Sequence, residues 1–597
     1  MPADTTTLPA VAVPANAIRA SAAGGGGNAR LTGRLWSGGL LVLLAFLVIY
    51  PVAMLLLGAF TTRNPVVDGV SLADISLGNF LVVLGNPNVL AALGNSLIAC
   101  GGGTALAVVV GLFFAWIVVR TDTPCKGLIA AAGMLPLFIP PLVAGVAWSI
   151  LGSPKTGILN TIFAKMGLDW RINLYSMWGI VTVFGMYYAP YVYMFTASAL
   201  RNMDPSLEEA AEISGASAFR TMFTVTFPLI LPAIISGLLL SFIVMLGIYG
   251  IPAVLGSSAN ISVLTTYIFQ LTVWTPPLYN TAASVAVILM IVTGVLVWLQ
   301  GQVLRGRSFT TVAGKAFRPR ALQLGPWRFF TFGLAMIYLL VVVVLPTLAL
   351  LIAATRKFLF IRDLPSLFDM KQYSLVHFEK LFANTATIES IVNALEVGVI
   401  TAVSGGMLSF AIGYTLTRLQ VPGRRLIDVV TTIPVAIPGL VIGVAYLWAW
   451  IGLPGGLYGT LWILALAFVA RFLPDTVKAL STSLLQIHRE LEEAAWISGR
   501  GMLSTIATIV LPLAKPGVVA AMTLLFVLSI RELGSSLFLY SSGTVVMAVQ
   551  LLNFYEGGNI GVTAAFSLVQ MVLLCVLISF TNWLSRGGTN VSVGRAG

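Results

Sequence analysis

A nine-residue stretch that occurs twice decides the fold of this chain: LEEAAEISG at residues 207–215 and LEEAAWISG at residues 491–499. The two copies begin 284 residues apart, the difference between 491 and 207. Two pairs of prolines downstream keep this offset: Pro228 with Pro512, and Pro232 with Pro516. Upstream, an offset of 298 residues, the difference between 418 and 120, relates Arg120 to Arg418, Asn95 to Asn393, Pro136 to Pro434 and Pro140 to Pro438. Such self-similarity predicts two halves that arose by duplication.

The composition indicates that these halves lie in a membrane. Of the 597 residues, 9% are charged and 58% are hydrophobic, and the mean hydropathy is +0.96. Soluble globular proteins contain about 25% charged residues. A soluble fold of this length could not cover its surface with so few charges, so the sequence predicts a polytopic membrane protein.

Twelve windows have the roughly 20 apolar residues that a membrane-spanning helix needs. The first six lie near 38–60, 91–119, 127–151, 177–199, 231–255 and 282–304. The other six lie near 329–353, 391–417, 426–450, 458–480, 516–540 and 562–584. Prolines in the third and ninth windows predict kinked or broken helices there. We therefore expect an all-α fold with about 12 spans, in two pseudo-symmetric halves of six helices. Because six is even, the halves are parallel.

Basic residues orient the spans. The segment 301–328 contains six Lys and Arg residues and no acid, and further bases occur in the tight turns after the second and eighth windows. The positive-inside rule therefore predicts that both termini and the nonapeptide loops are cytoplasmic. The expected organisation is a disordered tail at 1–34, a first half at 35–304 (core domain about 91–304), a basic linker at 305–328, a second half at 329–586 (core domain about 391–585) and a tail at 587–597.

Several functions are excluded by missing residues. Two histidines, His377 and His488, and three separated cysteines provide no metal cluster or disulfide framework. The sequence Gly-x-x-x-x-Gly-Lys-[Ser/Thr] is absent, so the chain has no phosphate-binding loop of its own. Membrane topology and anionic lipids account for the bases of 301–328, so we expect no nucleic-acid partner. The sequence thus predicts neither a catalytic site nor a cofactor in this chain.

Each nonapeptide is predicted to form a short surface helix of about ten residues. Glu-Ala-Ala favours a helix with a narrow face, and Gly215 and Gly499 are placed to end it in a left-handed turn. A second short amphipathic segment, 217–227 or 501–511, is expected to lead to Pro228 or Pro512. Two such helices in equivalent loops predict two docking sites for another protein.

This pattern resembles the cytoplasmic loops of the permeases of binding-protein-dependent ABC importers, in particular fused permeases of the ferric-iron type. The resemblance covers about 90–585 and includes Tyr249-Gly250-Ile251-Pro252-Ala253-Val254-Leu255-Gly256, and Arg531-Glu532-Leu533, although Gly534-Ser535 replaces the usual Pro-Ala. It implies two copies of an ABC ATPase subunit that bind ATP and Mg²⁺, an extracytoplasmic solute-binding protein and an inner-membrane location. The coupling residues that it implies are Leu207, Glu208, Glu209, Ala210, Ala211, Ser214, Gly215, Pro228 and Pro232, together with Leu491, Glu492, Glu493, Ala494, Ala495, Ser498, Gly499, Pro512 and Pro516.

Ionisable residues inside spans are candidates for a translocation pathway, because they are costly to place in lipid. Glu396 is expected in the eighth span, and Arg531 and Glu532 are expected in the eleventh. An alternative role for Arg531 and Glu532 is a pair that fixes helix packing. Tyr249 is a further candidate, with a membrane-interface anchor as its alternative.

The sequence leaves the identity of the substrate open. Ferric iron is the leading candidate, and 2-aminoethylphosphonate, polyamines, thiamine and inorganic anions are alternatives within the same family. A major-facilitator-like secondary transporter would also have twelve spans in two parallel halves, but it gives the nonapeptide loops no role.

Overall fold

The computed structural model of this chain describes residues 26–63, 74–204, 206–304, 322–359, 361, 365–452 and 456–586. These residues form helices and connecting loops, with isolated bridges in place of strands. The all-α, polytopic fold predicted from the sequence is confirmed. Of the predicted tails and linker, residues 1–25, 305–321 and 587–597 lie outside the described residues. Among the described residues, the first helix is Gly26–Leu44, which overlaps the predicted tail at 1–34.

Eight helices in the described ranges are long and apolar enough to cross a membrane, and three sharply bent helix pairs raise the number to at most 11. The eight are Gly33–Phe60, Pro87–Arg120, Met222–Leu246, Tyr279–Leu304, Trp327–Thr355, Thr385–Arg418, Met502–Ile530 and Ile560–Phe580. The bent pairs are Lys126–Phe138 with Pro141–Gly152 (98°), Gly250–Ala259 with Leu264–Val273 (78°), and Arg424–Ala436 with Gly439–Trp450 (112°).

The predicted fourth and tenth spans are helices, Met177–Asn202 and Leu461–Leu485, but they do not belong to this apolar set. The first of them is rich in tyrosine, and the second carries Arg471, Asp475 and Lys478. We number the spans as the sequence windows did, and these two keep their places as the fourth and tenth. Their polar residues become important at the candidate site.

The helices of the two halves begin and end at equivalent residues. With the 298-residue offset, Pro87–Arg120 corresponds to Thr385–Arg418, and Pro141–Gly152 corresponds to Gly439–Trp450. Short helices on the loops repeat as well, Gly78–Gly85 with Val376–Ala383. The repeat extends to the first and seventh spans, which each contain a five-residue π-helical segment, Ala45–Ile49 and Leu340–Val344. The duplication therefore includes the whole of each half.

Each half is completed by a helix from the other half. The Tyr446 hydroxyl of the ninth span donates a hydrogen bond to the carbonyl of Leu47 in the first span (2.8 Å). In the opposite direction, the Tyr338 hydroxyl of the seventh span donates to the carbonyl of Met186 in the fourth span (2.7 Å). A continuous apolar core includes residues from both halves. The halves thus share one packed interior rather than meeting at a simple surface.

Two sequence expectations about the fifth and eleventh spans were wrong. The segments 217–227 and 501–511 are not separate surface helices, because the chain passes through a π-helical turn at Met222–Thr226 or Ile506–Val510 directly into the span. Proline is tolerated there because Pro228 and Pro512 each occupy one of the first positions of the helix that follows the turn. The spans also end early, at Leu246 and Ile530, where the apolar windows continued to 255 and 540. Hydropathy does not detect these ends, because the residues that follow are apolar too.

Candidate functional site

The two nonapeptides form equivalent surface helices, which we call the docking helices: Ser206–Ile213 and Glu490–Ile497. In the first, the Asp204 carboxylate accepts a hydrogen bond from the backbone N–H of Ser206 (2.9 Å) and so caps the helix start. Both docking helices have eight residues, where the sequence predicted about ten. Both helices follow a long span directly, and both lie on the side of the molecule where the second and eighth spans end.

A left-handed glycine ends each docking helix. Gly215 has a φ of +84° and Gly499 a φ of +80°. The N–H of Ala216 bonds to the carbonyl of Ala211, and the N–H of Arg500 to that of Ala495, both at 3.0 Å. This six-to-one hydrogen bond is the Schellman arrangement, which favours glycine because other residues are strained at positive φ.

The outward face of each docking helix is apolar and uncovered. Ile213 and Ile497 occupy the same place in the two copies and are 87% and 88% exposed. The first alanine of each copy, Ala210 or Ala494, is exposed as well, whereas the second faces the protein. Leu207 and Leu491, which are 47% and 45% exposed, lie one helical turn from the exposed alanines, so each helix presents an apolar patch rather than a single apolar residue. The pattern is typical of a helix that inserts into a groove of a partner.

A buried ion pair attaches each docking helix to the end of a span. Arg120 Nη1 lies 3.2 Å from Glu208 Oε2, and Arg418 Nε lies 3.2 Å from Glu492 Oε1. Arg120 and Glu492 are each 1% exposed. Leaving one partner of such a pair alone costs about 3–5 kcal/mol. Sequence reasoning used these arginines as markers of topology and missed the pairing, although both members of each pair recur with the two offsets.

A second group of charged residues lies where the helices of the two halves are broken. Arg531 and Glu532 do not lie within the eleventh span, as the hydropathy window suggested, but follow its last residue, Ile530. The Arg531 guanidinium donates a hydrogen bond to the carbonyl of Leu137 (2.7 Å), which lies in the broken third span of the other half. The corresponding break of the first half, at Gly247, lies close to Pro438 in the broken ninth span. The breaks of the two halves therefore meet in a pseudo-symmetric manner.

Glu532 is paired with Arg471 of the tenth span rather than with Arg531. Its Oε1 atom also accepts hydrogen bonds from the backbone N–H of Ser535 (3.0 Å) and from the Ser535 hydroxyl (3.1 Å). The Arg471 guanidinium lies directly against Gly439, where a side chain would overlap it. The sequence contains Arg471 in an apolar window, which was the available signal, but only the fold shows that it is the partner of Glu532.

Polar residues form a path from this group towards the docking helices. In the tenth span, Arg471, Asp475 and Lys478 follow one face at helical spacing, and Asp475 and Lys478 are accessible. Tyr191 of the fourth span lies near Arg531, Asp475 and Arg471, so the fourth and tenth spans both border this group. The tenth span continues past Asp475 and Lys478 to Leu485.

A recess of about 340 Å³ continues this path in the first half. Its lining includes Met194, Ser198 and Arg201, which follow Tyr191 along the same face of the fourth span. Within the described residues, the recess is lined by the fourth span, which leads into the first docking helix, and by Met134 of the third span. This is the position expected of a cavity that opens on the side of the molecule where the docking helices lie.

The remaining pathway candidates lie apart from this group. Glu396 is exposed on the eighth span, in a stripe with Val392, Val399 and Val403, and opposite Gly398, which packs against Phe526. Tyr249 is buried directly after the fifth span and packs edge-on against Phe269, with 5.3 Å between ring centroids. The assignment of both residues to the pathway stays a prediction.

Comparison with known proteins identifies the class of this membrane protein. Residues 107–305 and 405–587 each match the family described as the binding-protein-dependent transport system inner membrane component. These two matches cover more than half of the chain, so the chain belongs to this family, as the resemblance of the docking loops indicated. It is a multi-pass membrane permease with two permease domains in one polypeptide.

Two of the similar proteins align with most of this chain. The ferric transport system permease protein FbpB of Actinobacillus pleuropneumoniae is 26% identical over 562 residues, which are 91% of this chain and 77% of that protein. The putative ferric transport system permease protein FbpB 1 of Haemophilus influenzae is 25% identical over 527 residues, 85% of this chain and 78% of that protein. The molybdenum transport system permease protein ModB of Escherichia coli is 34% identical over 140 residues, 24% of this chain and 60% of that protein.

Proposed function

We propose that this chain is the membrane subunit of an ATP-driven importer that moves ferric iron into the cytoplasm. The observation that carries this proposal is the pair of docking helices, which repeat the same exposed isoleucine, the same left-handed glycine and the same buried ion pair. A partner that binds both helices would be a dimer with two equivalent grooves. Two copies of an ABC ATPase subunit fit this requirement.

The partner ATPases would hold ATP and Mg²⁺ and perform the hydrolysis. The ATPases would contact the docking helices, so a closing ATPase dimer would displace these helices first. Transport requires that the ATPases bind the two conformations of the permease with different affinity. With the docking helices on the cytoplasmic side, both termini are cytoplasmic too, and the binding protein delivers substrate to the opposite face.

The pathway would pass through the meeting point of the broken helices. Glu532, Arg471 and Arg531 lie there, and Asp475 and Tyr191 continue towards the docking side. A substrate ion that reaches this point meets a carboxylate, which attracts cations. It also meets guanidinium groups, which bind oxygen-rich anions. Glu396 and Tyr249 are further pathway candidates, closer to the side from which substrate would enter.

Ferric iron is supported as the substrate by the names of relatives that align with most of this chain. Carboxylates such as Glu532 and Asp475 are suitable ligands for a hard cation. An oxyanion is the second candidate, because two guanidinium groups lie in the same place and a molybdenum permease aligns with part of the chain. 2-Aminoethylphosphonate, polyamines and thiamine remain alternatives within the same role.

The test is co-purification and uptake with the complete complex. We expect the tagged chain to capture a P-loop ATPase, and the double variant Gly215→Val with Gly499→Val to lose it. Valine at a φ near +80° is strained, although the space around both glycines is open. Proteoliposomes with the binding protein should then take up ⁵⁵Fe(III) but not molybdate when ATP is supplied. Full ATP-dependent uptake by the double variant would contradict the proposal, and uptake of molybdate alone would select the second candidate.

A further inference from the structure

The buried ion pairs at the docking helices connect more than two residues. In the second half, Arg418 pairs with Glu492 and also donates hydrogen bonds to the carbonyls of Leu484 (2.6 Å) and Ile487 (2.5 Å). These carbonyls lie at the end of the tenth span. One guanidinium therefore holds together the end of the eighth span, the end of the tenth span and the second docking helix.

The first ion pair, Arg120–Glu208, lies at an equivalent junction, but the segment that joins it there is a different one. The carbonyl of Arg120 accepts a hydrogen bond from the backbone N–H of Leu322 (2.8 Å), just before the seventh span. Asp122 continues this contact, since its carboxylate accepts from the N–H of Leu324 (2.9 Å). The first docking helix is thus held to the second span at the point where the connection between the two halves is attached.

The two pairs differ in how completely their polar atoms are used. In the second pair, Glu492 Oε2 accepts a hydrogen bond from the Tyr414 hydroxyl (2.9 Å), while Glu492 Oε1 meets Arg418 through the ion pair alone. Glu208 accepts from the Thr226 hydroxyl (2.7 Å), but the three guanidinium nitrogens of Arg120 have no hydrogen-bond partner among the described residues. Arg120 is therefore held by charge alone, whereas Arg418 is fixed by charge and by directed hydrogen bonds.

We propose that Glu208–Arg120 and Glu492–Arg418 transmit the movement of the ATPases from the docking helices to the second and eighth spans, and that the second pair is the stiffer link. The inference rests on the proposed function. All four residues are positioning residues, because they touch neither substrate nor nucleotide. The assignment differs from docking itself, because these carboxylates point into the permease while Ile213 and Ile497 point away from it.

Burial explains why such a pair can transmit movement. Separating two charges that are shielded from water is costly, so the docking helix and the end of the span move as one body. A docking helix held only by apolar contacts could slide along the core and leave the spans in place. The ATPases would then hydrolyse ATP without moving substrate.

The test measures ATP hydrolysis and substrate uptake on the same proteoliposomes, with the full chain, its ATPase and its binding protein. For Glu492→Gln we expect uptake per ATP to fall at least about fivefold, the lower range of an allosteric coupling. For Glu208→Gln, whose carboxylate is partly exposed, we expect about twofold. The amount of bound ATPase should not change. The matched control is Asp428→Asn, an exposed carboxylate on the same side that makes neither contact.

Charge exchange separates a transmitting role from a structural one. Arg120→Glu with Glu208→Arg should recover uptake per ATP, because Arg120 uses only its charge. Arg418→Glu with Glu492→Arg should not recover it, because a carboxylate at 418 would face the carbonyls of Leu484 and Ile487. This pair of double variants also decides the matter if a single variant fails to accumulate in the membrane.

The outcomes that overturn the inference leave the proposed function standing. If both single variants keep the native ratio of uptake to hydrolysis, the pairs transmit nothing. If either variant loses the bound ATPase, the carboxylate belongs to the docking surface instead. The proposed function fails by a different result, namely that the unmodified chain captures no ATPase.

Discussion

The two halves have the same helices but different chemistry where those helices are broken. At the docking helices they agree in detail, with equivalent isoleucines, glycines and ion pairs. At the breaks, the second half has Arg531 and Glu532, and the first half has Gly247 and Ile248 at the equivalent positions, 284 residues earlier. Arg471 likewise corresponds to Tyr187, which donates a hydrogen bond to the carbonyl of Val342 (3.0 Å).

This difference shows which features a duplicated permease retained and which diverged. The docking helices remained equivalent, as expected if they bind two identical subunits. The breaks diverged, as expected if one substrate passes along the pseudo-symmetry axis and needs one set of contacts rather than two. The first half thus provides aromatic and apolar packing at the break, and the second half provides the charges.

The largest expected effect is at Glu532. Glu532→Gln leaves the Arg471 guanidinium without its counter-charge, so we expect a loss of stability of about 3 kcal/mol and a fall in uptake of more than about tenfold. Thermal unfolding of the purified complex and uptake assays measure the two effects. The control is Ile248→Val at the equivalent place in the first half, for which about 1 kcal/mol is expected. Equal effects at both positions would mean that the halves do not differ in role.

A smaller effect is expected at Arg531. Arg531→Met removes the charge-assisted hydrogen bond to the carbonyl of Leu137, which contributes about 1.5–3 kcal/mol to the contact between the halves. Uptake should fall several-fold, while the binding of ATPase stays unchanged. Arg531→Lys retains a charged donor and should be affected less. If methionine and lysine behave alike, the contact between the breaks has no part in transport.

The smallest effect is expected at Gly439. An added methyl group would overlap the Arg471 guanidinium, the flexible end of a long side chain, so Gly439→Ala should cost only about 1 kcal/mol and shift Arg471 away from Glu532. Thermal unfolding detects the loss. The matched control is Gly452→Ala, where the methyl group meets no atom within 4 Å. A stability change of the same size at Gly452 would remove the argument for a crowded site.

The sequence was sufficient for the parts of the structure that are repeated or apolar. The duplication, the all-α fold and the position of the docking helices follow from the nonapeptides, the two offsets and the hydropathy windows. The broken helices after Leu246 and Ile530 did not follow, because the chain stays apolar through the break. The Arg471–Glu532 contact did not follow either, since the residues are 61 positions apart, one within the tenth span and the other after the end of the eleventh.

The Arg120–Glu208 pair is an intermediate case. Both residues and their equivalents in the second half were visible as repeated charges, one at the end of an apolar window and one at the start of a short helix. Their distance depends on how the second span and the docking helix approach each other. That approach is set by packing of the fourth and fifth spans, which local sequence patterns do not describe.

The most direct test of the account is a crosslinking experiment at the two exposed isoleucines. Ile213→Cys and Ile497→Cys would be introduced singly and together into a chain whose exposed cysteines, Cys125 and Cys575, are replaced by serine. We predict that each single cysteine crosslinks to one ATPase subunit, and that the double variant carries two, with both sites labelled by reagents only from the cytoplasmic side. Labelling of the two cysteines from opposite sides of the membrane, or no crosslink at either position in a complex that still hydrolyses ATP, would contradict the account.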